Sequence, residues 1–326
     1  MWSKVKTLIR RHRSFAITTH VFPDGDAVGS ELALAQILRR LGKKVLVVNE
    51  HPLPKIYRFL DPRRTAKVHA KKLAARIEKC DVVFAVDAGS PDRLGRVGIT
   101  IQRAHLRSIC IDHHKTNSSF ADVNIVDTSA ASTGELIYSL AKSLRVPITP
   151  HVAKCLFVAA ATDTGWFRFP NTTPRTFRMA AELIENGVKP ERMYQAVYET
   201  FRWQRMALMR QVLGTLCSEC DGQIAYFYAT EKMLREAKAT QEDAEGFTNI
   251  PRVLRGVKLI LFFREIGGKV RVSLRSRGGP PVEALARKYG GGGHARAAGI
   301  TMKGPLRRAI RAVLGDARRL LEREGS

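Results

Sequence analysis

The chain of 326 residues contains no long hydrophobic run. No segment approaches the roughly 18 consecutive apolar residues that a membrane-spanning helix requires. The first residues, Met1–Lys6, also lack the apolar core of a secretory signal peptide. Because 44% of the residues are apolar, the composition is that of a folded protein and not of a disordered one. We therefore expect a globular cytoplasmic protein with room for two domains of ordinary size.

Cysteine is scarce, with five residues in the whole chain, and an odd number does not suggest a disulfide framework. Cys217 and Cys220 have the spacing of a zinc or redox site, but no second pair completes a zinc site. We interpret this pair as structural and place it in a segment of helical character. Cys110 and Cys155 lie in apolar runs and are expected in the core.

Acidic residues are also few, since 55 Lys and Arg face 30 Asp and Glu and leave a net charge of +25. A field of this sign attracts anionic partners and raises their rate of encounter. Two interpretations stay open: a nucleotide or RNA substrate, or a solvated basic surface such as the arginine-rich segment 307–323. Net charge alone does not identify the anion.

Despite this shortage of acidic residues, four apolar runs each end in aspartate, or in aspartate with histidine. A single aspartate after such a run, as at Asp163, is ordinary turn or helix-capping chemistry. Four repetitions of the pattern favour a common site. The residues concerned are His20, Asp24 and Asp26, then Asp87, then Asp112, His113 and His114, and finally Asp163.

Carboxylate and imidazole groups together are the ligand set of divalent metal ions. Four carboxylates in one pocket would repel one another strongly, and two divalent cations would cancel their charge. A pair of ions about 3.5–4 Å apart can hold a phosphate oxygen and activate water near neutral pH. The sequence therefore predicts a two-metal site that hydrolyses a phosphate ester.

Strand-like runs alternate with segments of helical periodicity through the first half of the chain. This alternation predicts an α/β fold in which a parallel sheet carries helices on both faces. Ligands of such sheets collect at the carboxyl ends of the strands, where the Asp and His segments fall. Gly25 and Gly29 are expected to permit a tight turn into the first helix of the sheet. The predicted strands are 15–19, 45–48, 82–86, 109–111 and 123–126, and the predicted helices include 30–41 and 73–79.

A second, smaller α/β domain is predicted from three further strand-like runs, at 224–228, 257–263 and 269–274. We therefore divide the chain into a first domain, a helical linker and a second domain, at residues 1–187, 188–220 and 221–326. The linker contains aromatic side chains that either pack between the domains or stack on nucleic-acid bases. These are Tyr194, Tyr198, Phe201 and Trp203.

The order and spacing of the Asp and His residues resemble those of the DHH phosphoesterases. The segment Gly290–Gly299, with four consecutive glycines before His294, is similar to the glycine-histidine motif of the substrate domain that accompanies many of them. The resemblance extends over residues 10–305, and the layout is most similar to the NrnA-like oligoribonuclease and pAp phosphatase group. It implies a catalytic first domain and a substrate-binding second domain across a cleft.

The resemblance also implies roles for individual residues. One metal ion, most often Mn²⁺ in this family and otherwise Mg²⁺ or Co²⁺, would be held by His20, Asp24 and Asp87. The second ion would be held by Asp26, Asp87, His113 and Asp163, with Asp87 bridging. The catalytic residues would be Asp112, which orients an imidazole, and His114, which faces the scissile phosphate.

The second domain is expected to hold the substrate. Consecutive glycines allow close backbone approach and expose N–H groups to an anion, although a flexible surface loop would have the same composition. Together with the resemblance, they predict a substrate site made of Arg275, Ser276, Gly291, Gly292, Gly293 and His294. A second anchor at a fixed distance would restrict the enzyme to short substrates such as dinucleotides, nanoRNA or pAp.

Three other functions remain open on the sequence. A RecJ-like exonuclease would degrade long single strands, but this length leaves little room for extra nucleic-acid-binding modules. A cyclic-dinucleotide phosphodiesterase would use the same core. A nucleic-acid-binding protein with a vestigial site is disfavoured, because every ligand position holds the expected residue type. Partners would be short RNA or nucleotides, no membrane, and possibly a second copy of the chain.

Overall fold

The computed structural model describes residues 1–323, apart from the side chain of His294. The chain forms two compact units, residues 1–200 and residues 201–326. Their boundary lies inside the segment predicted as a linker, because the two helices of that segment belong to different units. Within residues 1–323, no helix is long and apolar enough to cross a membrane.

The first unit is built on a sheet of six strands. They are β1 (Ser14–Thr19), β2 (Lys44–Asn49), β3 (Ala66–Val68), β4 (Val82–Val86), β5 (Arg107–Asp112) and β6 (Val123–Val126). All neighbouring pairs are parallel, in the order β3-β2-β1-β4-β5-β6. The predicted parallel sheet is confirmed. Only β3 lacks a counterpart among the predicted strands, since three residues are too few to show a period.

Eight helices accompany this sheet. They are α1 (Ser3–Arg11), α2 (Gly25–Arg40), α3 (Lys71–Ile77), α4 (Gly95–Arg103), α5 (Thr133–Ser143), α6 (Pro150–Asp163), α7 (Pro174–Glu185) and α8 (Pro190–Tyr198). Successive residues of a strand point to opposite faces. Phe15 and Ile17 accordingly pack in the core with α1, α2, α5 and α6, whereas Ala16 packs with residues of α3 and α4. Helices therefore cover both faces, as predicted.

Two glycines of α2 permit its close packing against α6. A Cβ atom on Gly29 would lie 2.3 Å from the carbonyl oxygen of Cys155, and one on Gly25 would lie 2.4 Å from the hydroxyl of Thr162. The prediction that these glycines form a turn was wrong, because α2 begins at Gly25 and both residues lie within it. The absence of side chains instead lets two buried helices approach each other.

The second unit has a mixed six-stranded sheet. Its strands are β7 (Cys217–Glu219), β8 (Ile224–Ala229), β9 (Leu259–Ile266), β10 (Lys269–Ser276), β11 (Gly292–His294) and β12 (Ala297–Lys303). The order is β11-β12-β10-β9-β8-β7, and only β8 and β9 are parallel. Cys217 thus lies in an edge strand and not in a helix as predicted, because β8 offers it an antiparallel partner.

Four helices complete the second unit: α9 (Trp203–Leu213), α10 (Glu231–Glu236), α11 (Glu283–Lys288) and α12 (Leu306–Glu322). Two separate hydrophobic clusters form, one with α11 and α12 and the other with α9 and α10. Of the aromatic linker residues, Tyr194 and Tyr198 make edge contacts with Trp166 inside the first unit, whereas Trp203 is 87% exposed.

Candidate metal centre and active site

The candidate site lies where the strand order of the parallel sheet reverses direction. From β1 the chain proceeds to β2 on one side, and β4 pairs with β1 on the other side. Connections that leave in opposite directions open a crevice at the carboxyl ends of the two strands. His20 directly follows β1 and Asp87 directly follows β4, so both residues lie at this crevice.

Asp87 lies between two histidines and presents one carboxylate oxygen to each. Its Oδ2 is 3.6 Å from Nε2 of His20, and its Oδ1 is 3.7 Å from Nε2 of His113. Asp24 approaches the first imidazole, with Oδ1 3.8 Å from Nε2 of His20. The ligand atoms of His20, Asp24 and Asp87 lie within 4.8 Å of one another and could hold a metal ion.

A second group of possible ligands surrounds His113. Its Nε2 lies 3.7 Å from Oδ2 of Asp26 and 3.5 Å from Oδ2 of Asp163. These three residues also bring their ligand atoms within 4.8 Å of one another and could hold a metal ion. The structure therefore brings together all six residues predicted as ligands from four segments of the chain. Asp87 contacts both groups.

The hydrogen bonds of the two imidazoles leave Nε2 directed at the carboxylates. Nδ1 of His20 lies 2.8 Å from the carbonyl oxygen of Val21, and Nδ1 of His113 lies 3.3 Å from that of Ala130. When neutral, a ring that donates from Nδ1 to a carbonyl keeps its lone pair on Nε2, which is the arrangement typical of metal-binding histidines.

Asp26 is held rigidly at the N-terminus of α5. Its Oδ2 accepts a hydrogen bond from the backbone N–H of Thr133 at 2.7 Å. Its Oδ1 accepts one from the backbone N–H of Gly134 at 2.9 Å and one from the Ser30 hydroxyl at 3.0 Å. Thr133 also donates its hydroxyl to Oδ1 of Asp87 at 2.9 Å. Neither Thr133 nor Gly134 was predicted, since Ser-Thr-Gly before a helix is a common capping sequence.

Asp87 has a left-handed backbone conformation, with φ of 56°. Such a conformation is uncommon outside glycine, although Asp and Asn adopt it more readily than other residues. Residues in this region cluster at functional sites, where the surrounding structure holds them in place. Here the N–H of Asp87 donates to the carbonyl of Ile111 at 3.0 Å.

The carboxylates and histidines perturb one another in the ion-free protein. Burial, together with Asp87 and Asp163, raises the pKa of Asp26 well above its ordinary value. Burial and Asp87 raise the pKa of Asp163 to about 6. Burial lowers the pKa of His20, but Asp24 and Asp87 outweigh this effect and raise it to about 10. Bound cations would therefore replace protons at this site, most clearly the proton of His20.

Asp112 is fully buried, and its carboxylate accepts three hydrogen bonds from neighbouring groups. Its Oδ1 accepts from Nδ1 of His114 at 2.7 Å and from the backbone N–H of His113 at 2.9 Å. Its Oδ2 accepts from the Asn117 amide at 2.6 Å. With both oxygens engaged, Asp112 is suited to orienting His114. Asn117 was not predicted, because an isolated Asn beyond the His pair carries no sequence signal.

The predicted substrate residues are only partly arranged as expected. Arg275 pairs with Ala297 across β10 and β12, and Ala297 pairs with His294 across β12 and β11, so their backbones share one register. Ser276 is buried, and its hydroxyl donates to the carbonyl of Gly279 at 2.8 Å. The side chain of His294 lies outside the part of the chain that the structure describes.

The glycine segment is a strand with a helix cap, not an open loop. The N–H of Gly291 donates to the carbonyl of Ala286 at 2.9 Å and so caps the end of α11. The prediction that this N–H is exposed to an anion was therefore wrong. Gly292 and Gly293 begin β11 and pair with Gly299 and Ala298. Close approach of the backbones explains Gly291 and Gly293, since a Cβ on them would lie 2.2 Å from the carbonyl oxygen of Gly299 and 2.4 Å from that of Ala297.

Comparison with known proteins identifies the family. The family model described as the DHH family, N-terminal domain, matches residues 14–160, and that of the DHHA1 domain matches residues 221–322. The chain is 36% identical to the bifunctional oligoribonuclease and PAP phosphatase NrnA of Thermus thermophilus, over 95% of this chain and 90% of the relative. The chain belongs to the DHH family. The resemblance found in the sequence is confirmed, and the protein is a phosphoesterase of this family.

Other relatives and solved structures agree with this assignment. The bifunctional oligoribonuclease and PAP phosphatase NrnA of Bacillus subtilis is 28% identical over 87% of each chain. An exopolyphosphatase-related protein from Bacteroides fragilis superimposes with a TM-score of 0.90 at 27% identity, over 98% of this chain and 96% of that chain. RecJ of Thermus thermophilus, in complex with Mn²⁺, has a TM-score of 0.55 at 16% identity over 97% of this chain and 54% of that one, and shows the fold alone.

Proposed function

We propose that this protein hydrolyses short oligoribonucleotides to mononucleotides, and pAp to AMP, with two divalent metal ions. The observation that carries the proposal is the position of Asp87, whose two oxygens face His20 and His113 separately. One carboxylate shared in this way suits a pair of ions. The names of the relatives from Thermus thermophilus and Bacillus subtilis support the two substrate classes.

The residues fit the metal pair in their chemistry. Both histidines direct Nε2 at carboxylates. The clustered carboxylates repel one another, and bound cations would relieve that repulsion. His20, Asp24 and Asp87 would hold one ion, and Asp26, Asp87, His113 and Asp163 would hold the other. Mn²⁺ is the ion we favour, because a mixed carboxylate and imidazole set suits it. Such ions supply Lewis acidity toward a phosphoryl oxygen and activate water near neutral pH.

His114 is the proton donor at the scissile phosphate in this proposal. Its hydrogen bond to Asp112 raises the pKa of His114 to about 9, against the effect of burial. Because Nδ1 is held by Asp112, Nε2 presents its proton from a side chain that is 47% exposed. A phosphoryl or leaving-group oxygen could accept that proton as charge develops on it.

In the second unit, Arg275 and the start of β11 are the groups that we assign to the substrate. Arg275 is half-buried, and its Nη1 donates to the carbonyl of Leu274 at 2.9 Å, which leaves the other guanidinium N–H groups for a phosphate. Gly292 is exposed, and a Cβ at this position would meet nothing within 4 Å. Ser276 would support the neighbouring turn more than contact the substrate.

The proposal is tested by presenting four substrates to the purified protein with Mn²⁺. These are pAp, a ladder of short RNAs, a long single strand and cyclic di-AMP. We expect rapid hydrolysis of pAp and of dinucleotides, slow hydrolysis of the long strand, and complete loss of activity with a chelator. Equal rates on dinucleotides and long strands would indicate a RecJ-like exonuclease instead. Preference for the cyclic substrate would indicate a cyclic-dinucleotide phosphodiesterase.

A further inference from the structure

Phe22 is an exposed aromatic residue inside the segment that carries two of the proposed metal ligands. It lies two residues after His20 and two residues before Asp24, so covalent geometry keeps its Cα within about 7.6 Å of theirs. Its side chain is 72% exposed. None of the steps proposed above uses this ring.

The backbone at Phe22 has an unusual conformation. Phe22 has φ of 55°, a left-handed conformation that is a genuine outlier for a bulky residue. Two hydrogen bonds hold it there: the N–H of Val21 donates to the carbonyl of Arg93 at 2.6 Å, and the N–H of Phe22 donates to Nδ1 of His51 at 3.3 Å. Partners from two other segments of the chain thus hold an unfavourable conformation, which points to a function of the ring.

His51 supports the ring from one side. It follows β2, the neighbour of β1 in the sheet, and therefore reaches the same carboxyl edge from a separate segment. The two rings are stacked, with centroids 3.9 Å apart and planes inclined by 17°. Since one face of Phe22 rests on His51 while the side chain remains 72% exposed, the opposite face is open.

We propose that Phe22, supported by His51, is a stacking platform for the nucleobase next to the scissile phosphate. A flat, open aromatic face beside a phosphate site suits a nucleobase, because every base has a π-face whatever its identity. The platform would favour nucleotides over phosphate esters that lack a base, without selecting the base sequence. This inference rests on the proposed function, since it places a nucleotide at the metal centre.

The experiment combines a binding measurement with a kinetic one. Binding is followed by the fluorescence of 2-aminopurine riboside monophosphate, which is quenched when the base stacks. The kinetic measurement compares a dinucleotide that carries two adenine bases with two analogues, each of which lacks one of these bases. The variants are Phe22→Ala, Phe22→Leu and Phe22→Trp. Ile99→Ala, which truncates a 48% exposed apolar side chain on α4, is the matched control.

We expect Phe22→Ala to lose about 5- to 150-fold in kcat/KM on the complete dinucleotide, the range that follows from loss of one base stack. It should lose little on the analogue that lacks the stacked base, and 2-aminopurine quenching should disappear. Phe22→Trp should retain the wild-type behaviour, whereas Phe22→Leu should resemble Phe22→Ala and Ile99→Ala the wild type. Equal loss on complete and base-lacking dinucleotides, or no loss at all, would overturn the inference.

The two measurements separate this inference from the proposed function. If the wild type hydrolyses none of these substrates but quenches 2-aminopurine through Phe22, the proposed function fails and the platform stands. If hydrolysis proceeds and every Phe22 variant matches the wild type, only the platform fails. If the wild type neither hydrolyses nor quenches, both are wrong.

Discussion

Asp112 accepts a hydrogen bond from Nδ1 of His114 at 2.7 Å, although the carboxylate is fully buried and the imidazole is 47% exposed. The buried partner fixes the orientation of the exposed one and assigns the remaining ring proton to Nε2. Burial by itself raises the pKa of Asp112, but the hydrogen bonds from His114 and Asn117 outweigh it and lower the pKa. The pair is therefore preorganised as carboxylate and imidazolium.

Replacement of Asp112 by Asn should reduce kcat by about 10²–10⁴-fold, the usual contribution of a positioned acid. Loss of the carboxylate removes the main cause that raises the pKa of His114 to about 9, so this pKa should fall. Because the proposed acid is the protonated ring, the alkaline limb of the pH–rate profile should move to lower pH. NMR titration of His114 would measure the same shift directly.

Asn117→Ala is the matched control for this prediction. The Asn117 side chain donates to the other oxygen of Asp112 at 2.6 Å, whereas its bond to His114 is a backbone one, from the N–H of Asn117 to the carbonyl of His114 at 3.2 Å, which the substitution keeps. Its removal should weaken the support of Asp112, with a smaller loss of activity and a smaller change of the pH profile. An Asp112→Asn variant with lower activity but an unchanged alkaline limb would contradict the role of His114 as an acid.

Replacement of Asp87 by Asn should abolish hydrolysis, with a loss of at least about 10³-fold, while the protein stays folded. Asn tolerates the left-handed conformation at this position, whereas Ala would add backbone strain. An Asn side chain keeps the shape but cannot supply two anionic oxygens to His20 and His113. Activity, bound-metal analysis and circular dichroism together would check the outcome.

Asp221→Asn is the matched control for Asp87→Asn. Asp221 is exposed, belongs to the second unit and also has a left-handed φ, of 53°. The control therefore removes one negative charge at the same backbone conformation. Its activity and stability should equal those of the wild type. Unchanged turnover in Asp87→Asn would refute the proposal that this carboxylate is shared by two metal ions.

Metal binding should release protons, and its affinity should rise with pH. In the ion-free protein the pKa of His20 is about 10, because Asp24 and Asp87 outweigh the effect of burial, and the pKa of Asp26 is raised by burial. His20 holds a proton at neutral pH that an ion must displace, and the raised pKa of Asp26 acts in the same direction. As pH increases toward 10 fewer protons remain, so less free energy is spent on their removal.

Calorimetric titration with Mn²⁺ in two buffers of different ionisation enthalpy would count the released protons. At the acidic end, affinity should fall further below about pH 6, where Asp163 becomes protonated as well. The His20→Gln variant should release fewer protons than the wild type. Binding that is independent of pH would show that these groups are not ligands.

Two neighbouring glycines should respond differently to the same substitution. Gly291→Ala should destabilise the second unit by about 1–3 kcal/mol, because its Cβ would lie 2.2 Å from the carbonyl oxygen of Gly299. Gly292→Ala should leave the melting temperature nearly unchanged, since a Cβ there meets nothing within 4 Å. If substrate approaches this strand, Gly292→Ala should raise KM. An unchanged KM would place the substrate elsewhere.

Much of the first unit could be predicted from its sequence. Apolar runs predicted five of the six strands, most clearly β4, which is buried on both faces and consists of five apolar residues. The ligand residues could also be predicted from the sequence, since His20 and Asp87 come directly after such runs. Prediction was weaker in the second unit, where short edge strands such as β7 and β11 depend on a neighbouring strand for their existence.

The sequence by itself determined the residue types of the site, the order of their segments and the carboxyl edge to which the strands deliver them. Only the tertiary structure decided which groups meet. It placed one oxygen of Asp87 toward each histidine, gave Asp112 to His114, and placed Thr133 and Asn117 beside them. The physical reason is that hydrophobic period is a local property, whereas a contact between distant residues depends on how strands and helices pack.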